Sequence, residues 1–145
     1  MTTQTHNLAV RTALYTVPTT LALAFGLTMA AAPVGGTFVT LHAPTSGTVR
    51  IVTTAKGSEL QIRNLKTEPG PGLKVWLVAA QAPAKGAANA DAEIAKSKYL
   101  ELGELKTFSG NFKFAIPAGT NLADYQSVVL WCGNVSTAFG AAALK

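Results

Sequence analysis

The stretch Ser127-Val128-Val129-Leu130-Trp131-Cys132 (SVVLWC, residues 127–132) is apolar on both faces from Val128 onward. β-branched and aromatic side chains favour strands, and an apolar run without alternation predicts a strand that is covered on both sides. The run Val75-Trp76-Leu77-Val78 has the same character. These two strands are therefore predicted to lie in the middle of the domain.

The chain around these two runs reads as short strands separated by Gly- and Pro-containing turns. Regularly spaced short strands of this kind are typical of sandwiches and barrels. We predict an all-β fold, a small β-sandwich or barrel-like domain of about eight short antiparallel strands. The predicted strands are Thr37 to His42, Thr48 to Thr54, Glu59 to Asn64, Leu73 to Ala80, Tyr99 to Lys106, Asn111 to Ile116, Ser127 to Cys132 and Ser136 to Leu144.

Alternation of apolar and polar residues predicts which side chains face the interior of two of these strands. In the strand Glu59 to Asn64, one face carries Leu60, Ile62 and Asn64. In the strand Asn111 to Ile116, one face carries Phe112, Phe114 and Ile116. The same period places Cys132 with Val128 and Leu130, and Trp131 with Val129 on the opposite face.

Residues 81–98 differ from the rest of the domain. They are rich in Ala and Lys and have no apolar period of their own. We predict an exposed loop inserted between strands, with one helical turn around Asp91 to Ala95.

The first 32 residues have the organisation of a secretory signal peptide. Arg11 precedes a short apolar core, Leu21 to Ala32 (LALAFGLTMAAA), which ends in small residues. We predict a signal peptide over residues 1–32 and a single β domain over 33–145. The alternative is an uncleaved membrane anchor, because Thr12 to Val34 is long enough to span a bilayer if its polar residues are included. The domain is therefore expected to be exported (periplasmic, cell-surface or secreted), with membrane attachment only through an uncleaved leader.

The composition excludes several classes of function. Hydrophobic residues make up 48% of the chain and charged residues 13%, which is typical of a chain with a core. The net charge is +5, but the Lys and Arg residues never form a run, so no nucleic-acid partner is expected.

The inventory of catalytic groups is thin, because the domain contains one histidine, His42, and one cysteine, Cys132. No catalytic triad with a nucleophile elbow, zinc cluster, phosphate loop or C-x-x-C-H haem motif can be assembled from it. Classical enzyme activity is not expected. No metal site is assigned, and the sequence itself requires no cofactor.

Two residues are kept as candidates, each with two interpretations. Cys132 is either a small buried hydrophobe or a redox or ligand thiol, since an odd cysteine in an exported protein is exposed to oxidation. His42 is either an anchor at the end of a strand or, as a weak candidate, a second cofactor-binding residue beside Cys132. Periodicity favours the structural interpretation of Cys132, and the position of a lone histidine at the end of a strand favours that of His42.

The order of short motifs along the chain resembles the DM-thirteen domain, also called the electron-transfer DM domain, over about Gly36 to Leu144. The most specific pieces are a G-P-G turn, an L-G-x-L-K strand, an I-P pair and a V-V-x-W-C strand in that order. They correspond to Gly70-Pro71-Gly72, Leu102 to Lys106, Ile116-Pro117 and Val128 to Cys132.

The resemblance implies a β-sandwich-like fold and places the family's characteristic cysteine at Cys132. It implies a role in electron transfer, with this cysteine as a bare thiol or as a ligand to a prosthetic group such as haem. It also implies a membrane cytochrome or another redox protein as the partner. We therefore expect an extracytoplasmic redox accessory domain, with Trp131 as the packing partner of Cys132 and Trp76 as a structural neighbour. The alternative is a non-catalytic adhesion or interaction module in which Cys132 is a core residue.

This chain departs from the family pattern at two positions. Relatives usually carry an acid where this chain has Gly72, and an aromatic residue where it has Val135. The first departure removes a polar group from the turn, and the second is expected to loosen the packing beside Cys132.

Overall fold

The computed structural model describes residues 34–145, and these form one antiparallel β domain. Eight strands, one short α-helix (α1) and one 3-10 turn make up the described residues. The predicted all-β, barrel-like fold is confirmed. The strands are β1 Val34–Thr40, β2 Ser46–Thr54, β3 Gly57–Lys66, β4 Leu73–Val78, β5 Tyr99–Glu104, β6 Ser109–Ile116, β7 Ser127–Cys132 and β8 Thr137–Ala143; the helix α1 is Ala90–Lys96 and the 3-10 turn is Leu122–Asp124.

The strands form one sheet in the order β5-β4-β7-β8-β1-β2-β3-β6, which curls into a nearly closed barrel. β1 joins the two halves, because its first residues pair with β2 and its last residues pair with β8. Gly36 lies where β1 changes partner, and a Cβ there would come within 1.9 Å of the Ala143 carbonyl oxygen. Only glycine allows the backbones to approach this closely.

The end strands β5 and β6 approach each other through side chains. The Phe114 ring of β6 lies against Gly103 of β5, where an added Cβ would be 2.9 Å from the ring. An aromatic ring packed on a glycine thus covers the seam between the two ends of the sheet.

The predicted strand faces are confirmed, with one exception in β3. Leu60 and Ile62 are fully buried in the barrel interior, but the next buried residue is Leu65, and Asn64 is exposed. The pairing of β3 with β6 shifts between Ile62 and Leu65, and Asn64 has a positive φ of 51°. The prediction that Asn64 faces inward is therefore wrong, because a bulge changes the alternation at this point.

The two runs that are apolar on both faces are buried on both faces, as predicted. Inward side chains of β4 and β7, including Leu77 and Leu130, join the main core of the barrel. Their outward side chains form a second cluster with residues of α1 and β8: Trp76, Val78, Ile94, Val129, Trp131, Ala138 and Ala141.

Residues 81–98 supply the outer cover of this second cluster. The helical turn predicted around Asp91 to Ala95 is present as α1. Most of the segment is exposed, but Ala90 and Ile94 are buried. The description of this segment as an exposed loop is therefore wrong for those two residues; Ile94 packs against the apolar outer face of the barrel.

Residues 34–145 contain no helix with the length and apolar character needed to cross a bilayer. The predicted signal peptide lies outside the described residues.

Candidate functional site: the Cys132 thiol

Strand β7 places Cys132 on the inner face of the barrel. Its side chain belongs to the main core together with Val128 and Leu130, as the period predicts. Cys132 is the last residue of the strand and pairs with Leu73, the first residue of β4, and with Thr137, the first residue of β8. The thiol therefore lies at one end of the barrel, beneath the turn that leads into β4.

The turn Pro69-Gly70-Pro71-Gly72 covers the thiol. Sγ of Cys132 donates a hydrogen bond to the Pro71 carbonyl oxygen at 3.2 Å, and Cys132 is 0% exposed. Pro71 itself is exposed. The buried sulfur thus contacts the backbone of an exposed residue of the turn.

Both glycines of this turn are required by its shape. Gly72 has a φ of +67°, which favours glycine. Gly70 is buried, and a Cβ there would lie 2.8 Å from Phe139 Cζ and 3.6 Å from Sγ. The turn therefore lies directly on the thiol and on the Phe139 ring.

The two departures from the family pattern fall at this end of the barrel. A carboxylate-bearing residue in place of Gly72 would have to adopt a left-handed backbone conformation. Val135 is exposed in the turn between β7 and β8. In this chain the cover of Cys132 consists of the Pro71 carbonyl group, the backbone of Gly70 and the Phe139 ring.

The contact between Sγ and Pro71 is a hydrogen bond in which the sulfur is the donor. A carbonyl oxygen can only accept a hydrogen bond, so the contact is made by the thiol form of the side chain.

Trp131 does not pack against Cys132, and that prediction is wrong. Successive residues of a strand point to opposite faces, and the indole of Trp131 lies in the outer cluster. There it stacks on Trp76, with ring centroids 4.9 Å apart and an interplanar angle of 18°. Trp76 stacks in turn on Tyr99, with centroids 3.9 Å apart and an angle of 12°.

His42 anchors α1. Its Nε2 lies 3.0 Å from a carboxylate oxygen of Asp91. The other carboxylate oxygen of Asp91 accepts a 2.8 Å hydrogen bond from the backbone N–H of Ala138 in β8. Asp91 thus joins the helix, the end of β1 and β8, whereas the hydrogen-bond partner of Cys132 is Pro71. Within residues 34–145 no three His, Cys, Asp or Glu side chains are grouped in a way that could hold a metal ion.

The surroundings of Cys132 do not fit a haem. The space next to Sγ is taken by the Pro71 carbonyl group and by Gly70, with the Phe139 ring behind it. A macrocycle ligated by the sulfur would require the turn to leave its position. The arrangement fits a bare thiol.

Several residues of the site carry no sequence signal of their role. The sequence marks the G-P-G turn only as a family motif, and nothing in it places the turn over Cys132. It predicts Tyr99 only as the start of a strand and Asp91 only as part of a helical turn. These contacts depend on the register between strands and on the path of residues 79–98.

Fold and site together define a small antiparallel β-barrel domain with one thiol covered by a turn at the end of a central strand. The family model described as Electron transfer DM13 matches residues 37–144, and the chain belongs to this family. Comparison with curated proteins and with solved structures gives no match.

Proposed function

We propose that this protein is an extracytoplasmic electron-transfer accessory domain in which Cys132 acts as a bare redox thiol. Its partner would be a redox protein of the same compartment that presents a disulfide. Three features support the proposal: the family description, the leader pattern of residues 1–32 and the position of the thiol.

The observation that carries the proposal is the cover of Cys132 by an exposed turn. The sulfur is fully buried, yet its hydrogen-bond acceptor belongs to Pro71, an exposed residue of the turn. A displacement of this turn would break the hydrogen bond between Sγ and the Pro71 carbonyl oxygen and expose Sγ, while the strands of the barrel stay paired. Local openings of this kind cost less free energy than global unfolding.

The reaction is thiol–disulfide exchange. Once the turn opens, Cys132 gives up its proton and Sγ attacks one sulfur of the partner disulfide. A mixed disulfide forms at Sγ, the partner's S–S bond breaks, and the departing thiolate takes a proton. In this step Cys132 becomes one half of the mixed disulfide, and one of the two partner sulfurs is reduced to a thiol.

The test is the urea dependence of thiol exchange, measured with oxidised glutathione as the probe. The chain has a single cysteine, so all mixed disulfide reports on Cys132. If the turn opens locally, the exchange rate of the folded protein is nearly independent of urea at low concentrations. Cys132→Ser is the control for probe binding that does not involve the thiol.

A rate that rises with urea as steeply as global unfolding would contradict the proposal, because it means that the thiol reacts only in the unfolded chain. That result would favour the second candidate, a non-catalytic interaction module. The placement of Cys132 in the main core, with no exposed surface, is the observation that supports this alternative.

A further inference from the structure

Three aromatic rings lie in contact across three adjacent strands on the outer face of the barrel. Tyr99 is on β5, Trp76 on β4 and Trp131 on β7, and β4 is hydrogen-bonded to both neighbours. The ring centroids are separated by 3.9 Å and 4.9 Å, and both pairs are close to parallel. This group, the aromatic stack, gives a continuous path of π-contacts from β7 to the edge strand.

The stack has a buried end and an exposed end. Trp131 and Trp76 are 6% and 7% exposed, whereas Tyr99 is 47% exposed. A phenol at the surface can release its proton to water when the ring is oxidised. The buried indoles do not have the same contact with solvent.

Trp76 has a second feature that bears on the path. Among residues 34–145, its Nε1 is a buried polar atom without a hydrogen-bond partner. Such an unpaired buried donor is uncommon in proteins and calls for a physical explanation. A tryptophan radical cation becomes a stable neutral radical by losing the Nε1 proton, and here no acceptor is in place to take that proton. The electron deficit on Trp76 would therefore stay mobile and be filled by an electron from Tyr99.

We propose that the aromatic stack transfers a one-electron oxidation from the buried tryptophans to Tyr99 at the surface of the barrel. A one-electron oxidant, such as a radical or a high-valent metal centre, takes one electron from Trp131 or Trp76. An electron then moves from Tyr99 to the oxidised indole, and the Tyr99 hydroxyl releases its proton to water. The product is a neutral tyrosyl radical, which an external one-electron donor returns to tyrosine with uptake of a proton.

This function goes beyond thiol exchange and does not use the Cys132 sulfur. Trp131 is the covalent neighbour of Cys132, but the two side chains lie on opposite faces of β7. The path would keep oxidising equivalents on the outer face, away from the thiol in the core.

The test is flash photolysis of the full chain with light that tryptophan absorbs and tyrosine does not. Both tryptophans of the chain are in the stack, so the first radical forms there. We expect the visible absorbance of the tryptophan radical to decay as the near-ultraviolet band of the tyrosyl radical rises, at a rate independent of protein concentration. Tyr99→Phe preserves the ring and should abolish the tyrosyl band while prolonging the tryptophan radical.

Two further variants make the test specific. Trp76→Phe interrupts the stack and should also abolish the tyrosyl band, leaving a long-lived radical at Trp131. Tyr125→Phe is the matched control, because Tyr125 is a second tyrosine of the domain outside the stack, and it should leave the transfer unchanged. A tyrosyl band that survives Tyr99→Phe, or one that is lost in Tyr125→Phe, would overturn the proposal.

Cys132→Ala separates this proposal from the thiol function. Transfer from tryptophan to tyrosine should proceed unchanged in this variant, whatever the outcome of the glutathione experiment. Loss of the transfer in Cys132→Ala would mean that the sulfur belongs to the path, and the proposal as stated would be wrong.

Discussion

Cys132 and Gly70 illustrate how the size of a side chain controls the candidate site. The Cys132 side chain packs in the main core, and its thiol donates a hydrogen bond to the Pro71 carbonyl oxygen. Gly70 has no side chain, and this allows the turn to lie on both Sγ and Phe139. The turn can thus cover the thiol because the Cys132 side chain beneath it is small and because Gly70 has no side chain.

At the residue scale, Cys132→Ala should destabilise the domain. The substitution leaves a small cavity and removes the donor to Pro71, so we expect a loss of about 1–2 kcal/mol in the free energy of unfolding. Urea denaturation followed by tryptophan fluorescence measures it. An unchanged urea midpoint and slope would show that the sulfur makes no net packing contribution.

Gly70→Ala should disturb the cover directly. The new Cβ would approach the Phe139 ring to 2.8 Å, and we expect a loss of about 1–3 kcal/mol, as for other overpacked sites. The variant should also react faster with oxidised glutathione, because the turn is pushed away from Sγ. Gly133→Ala, whose Cβ would meet nothing within 4 Å, is the matched control and should match the wild type in both measurements.

Among the elements, α1 has the clearest function in the fold. Ile94 packs in the outer cluster, Ala90 is also buried, and Asp91 ties the helix to β8 and to His42. A helix of seven residues has little stability by itself, so its position depends on these contacts.

The contribution of Asp91 is expected to come from its bond to the backbone more than from its charge. Asp91→Ala leaves the N–H of the buried Ala138 without an acceptor and should cost about 1–3 kcal/mol. Asp91→Asn keeps an oxygen for Ala138 and, like His42→Ala, should cost less than about 1 kcal/mol, because the contact between His42 and Asp91 is partly exposed to solvent. Thermal unfolding of the three variants compares them. Equal losses in Asp91→Ala and Asp91→Asn would show that the charge is the important feature.

At the scale of the whole molecule, the two halves of the barrel have different outer faces. The strands β4, β7 and β8 have an apolar outer face covered by residues 79–98, whereas the outer face of β2 and β3 carries exposed polar residues such as Arg50 and Arg63. The barrel is completed at the seam between β5 and β6, where Phe114 lies against Gly103.

Phe114→Ala should loosen this seam. We expect a loss of about 3 kcal/mol, at the low end for Phe→Ala because the ring is partly exposed. Backbone amides of β5 should exchange hydrogen faster, while those of β7 keep their protection. Phe112→Ala, on the same face of β6 but two residues from the seam, is the control. Equal exchange of β5 amides in both variants would contradict the role of Phe114 in the seam.

Two lysines make the stability of the domain depend on pH in the alkaline range. A hydrogen bond to Glu101 raises the pKa of Lys74, and one to Asp124 raises the pKa of Lys98. A raised pKa in the folded state means that these pairs stabilise the domain below about pH 10.5 and that the contribution is lost as the pH rises through the raised values. The urea midpoint should therefore fall as the pH is raised from about 9 to about 12, a range that includes the lysine reference pKa. The fall should be shallower in a Glu101→Gln, Asp124→Asn double variant; an identical slope would contradict this origin.

Much of the strand content could be predicted from the sequence, because alternation and turn residues are local properties. All eight predicted strands are present, and Cys132 and Trp131 lie on the two faces that the period assigns to them. Asn64 was misassigned because a bulge depends on the partner strand, and local periodicity does not contain it. The burial of Ile94 was missed for a similar reason, since it depends on the apolar face that α1 covers.

The sequence by itself determined the all-β class, the number of strands and the burial of β4 and β7, since each follows from side-chain period and hydrophobicity over a few residues. Only the tertiary structure decided what lies next to what. It brought the Pro69–Gly72 turn over Cys132, stacked Tyr99 and Trp131 on Trp76, and joined Asp91 to β8. Those contacts join residues that are far apart in the chain, and they are set by strand register and sheet closure, which no local pattern specifies.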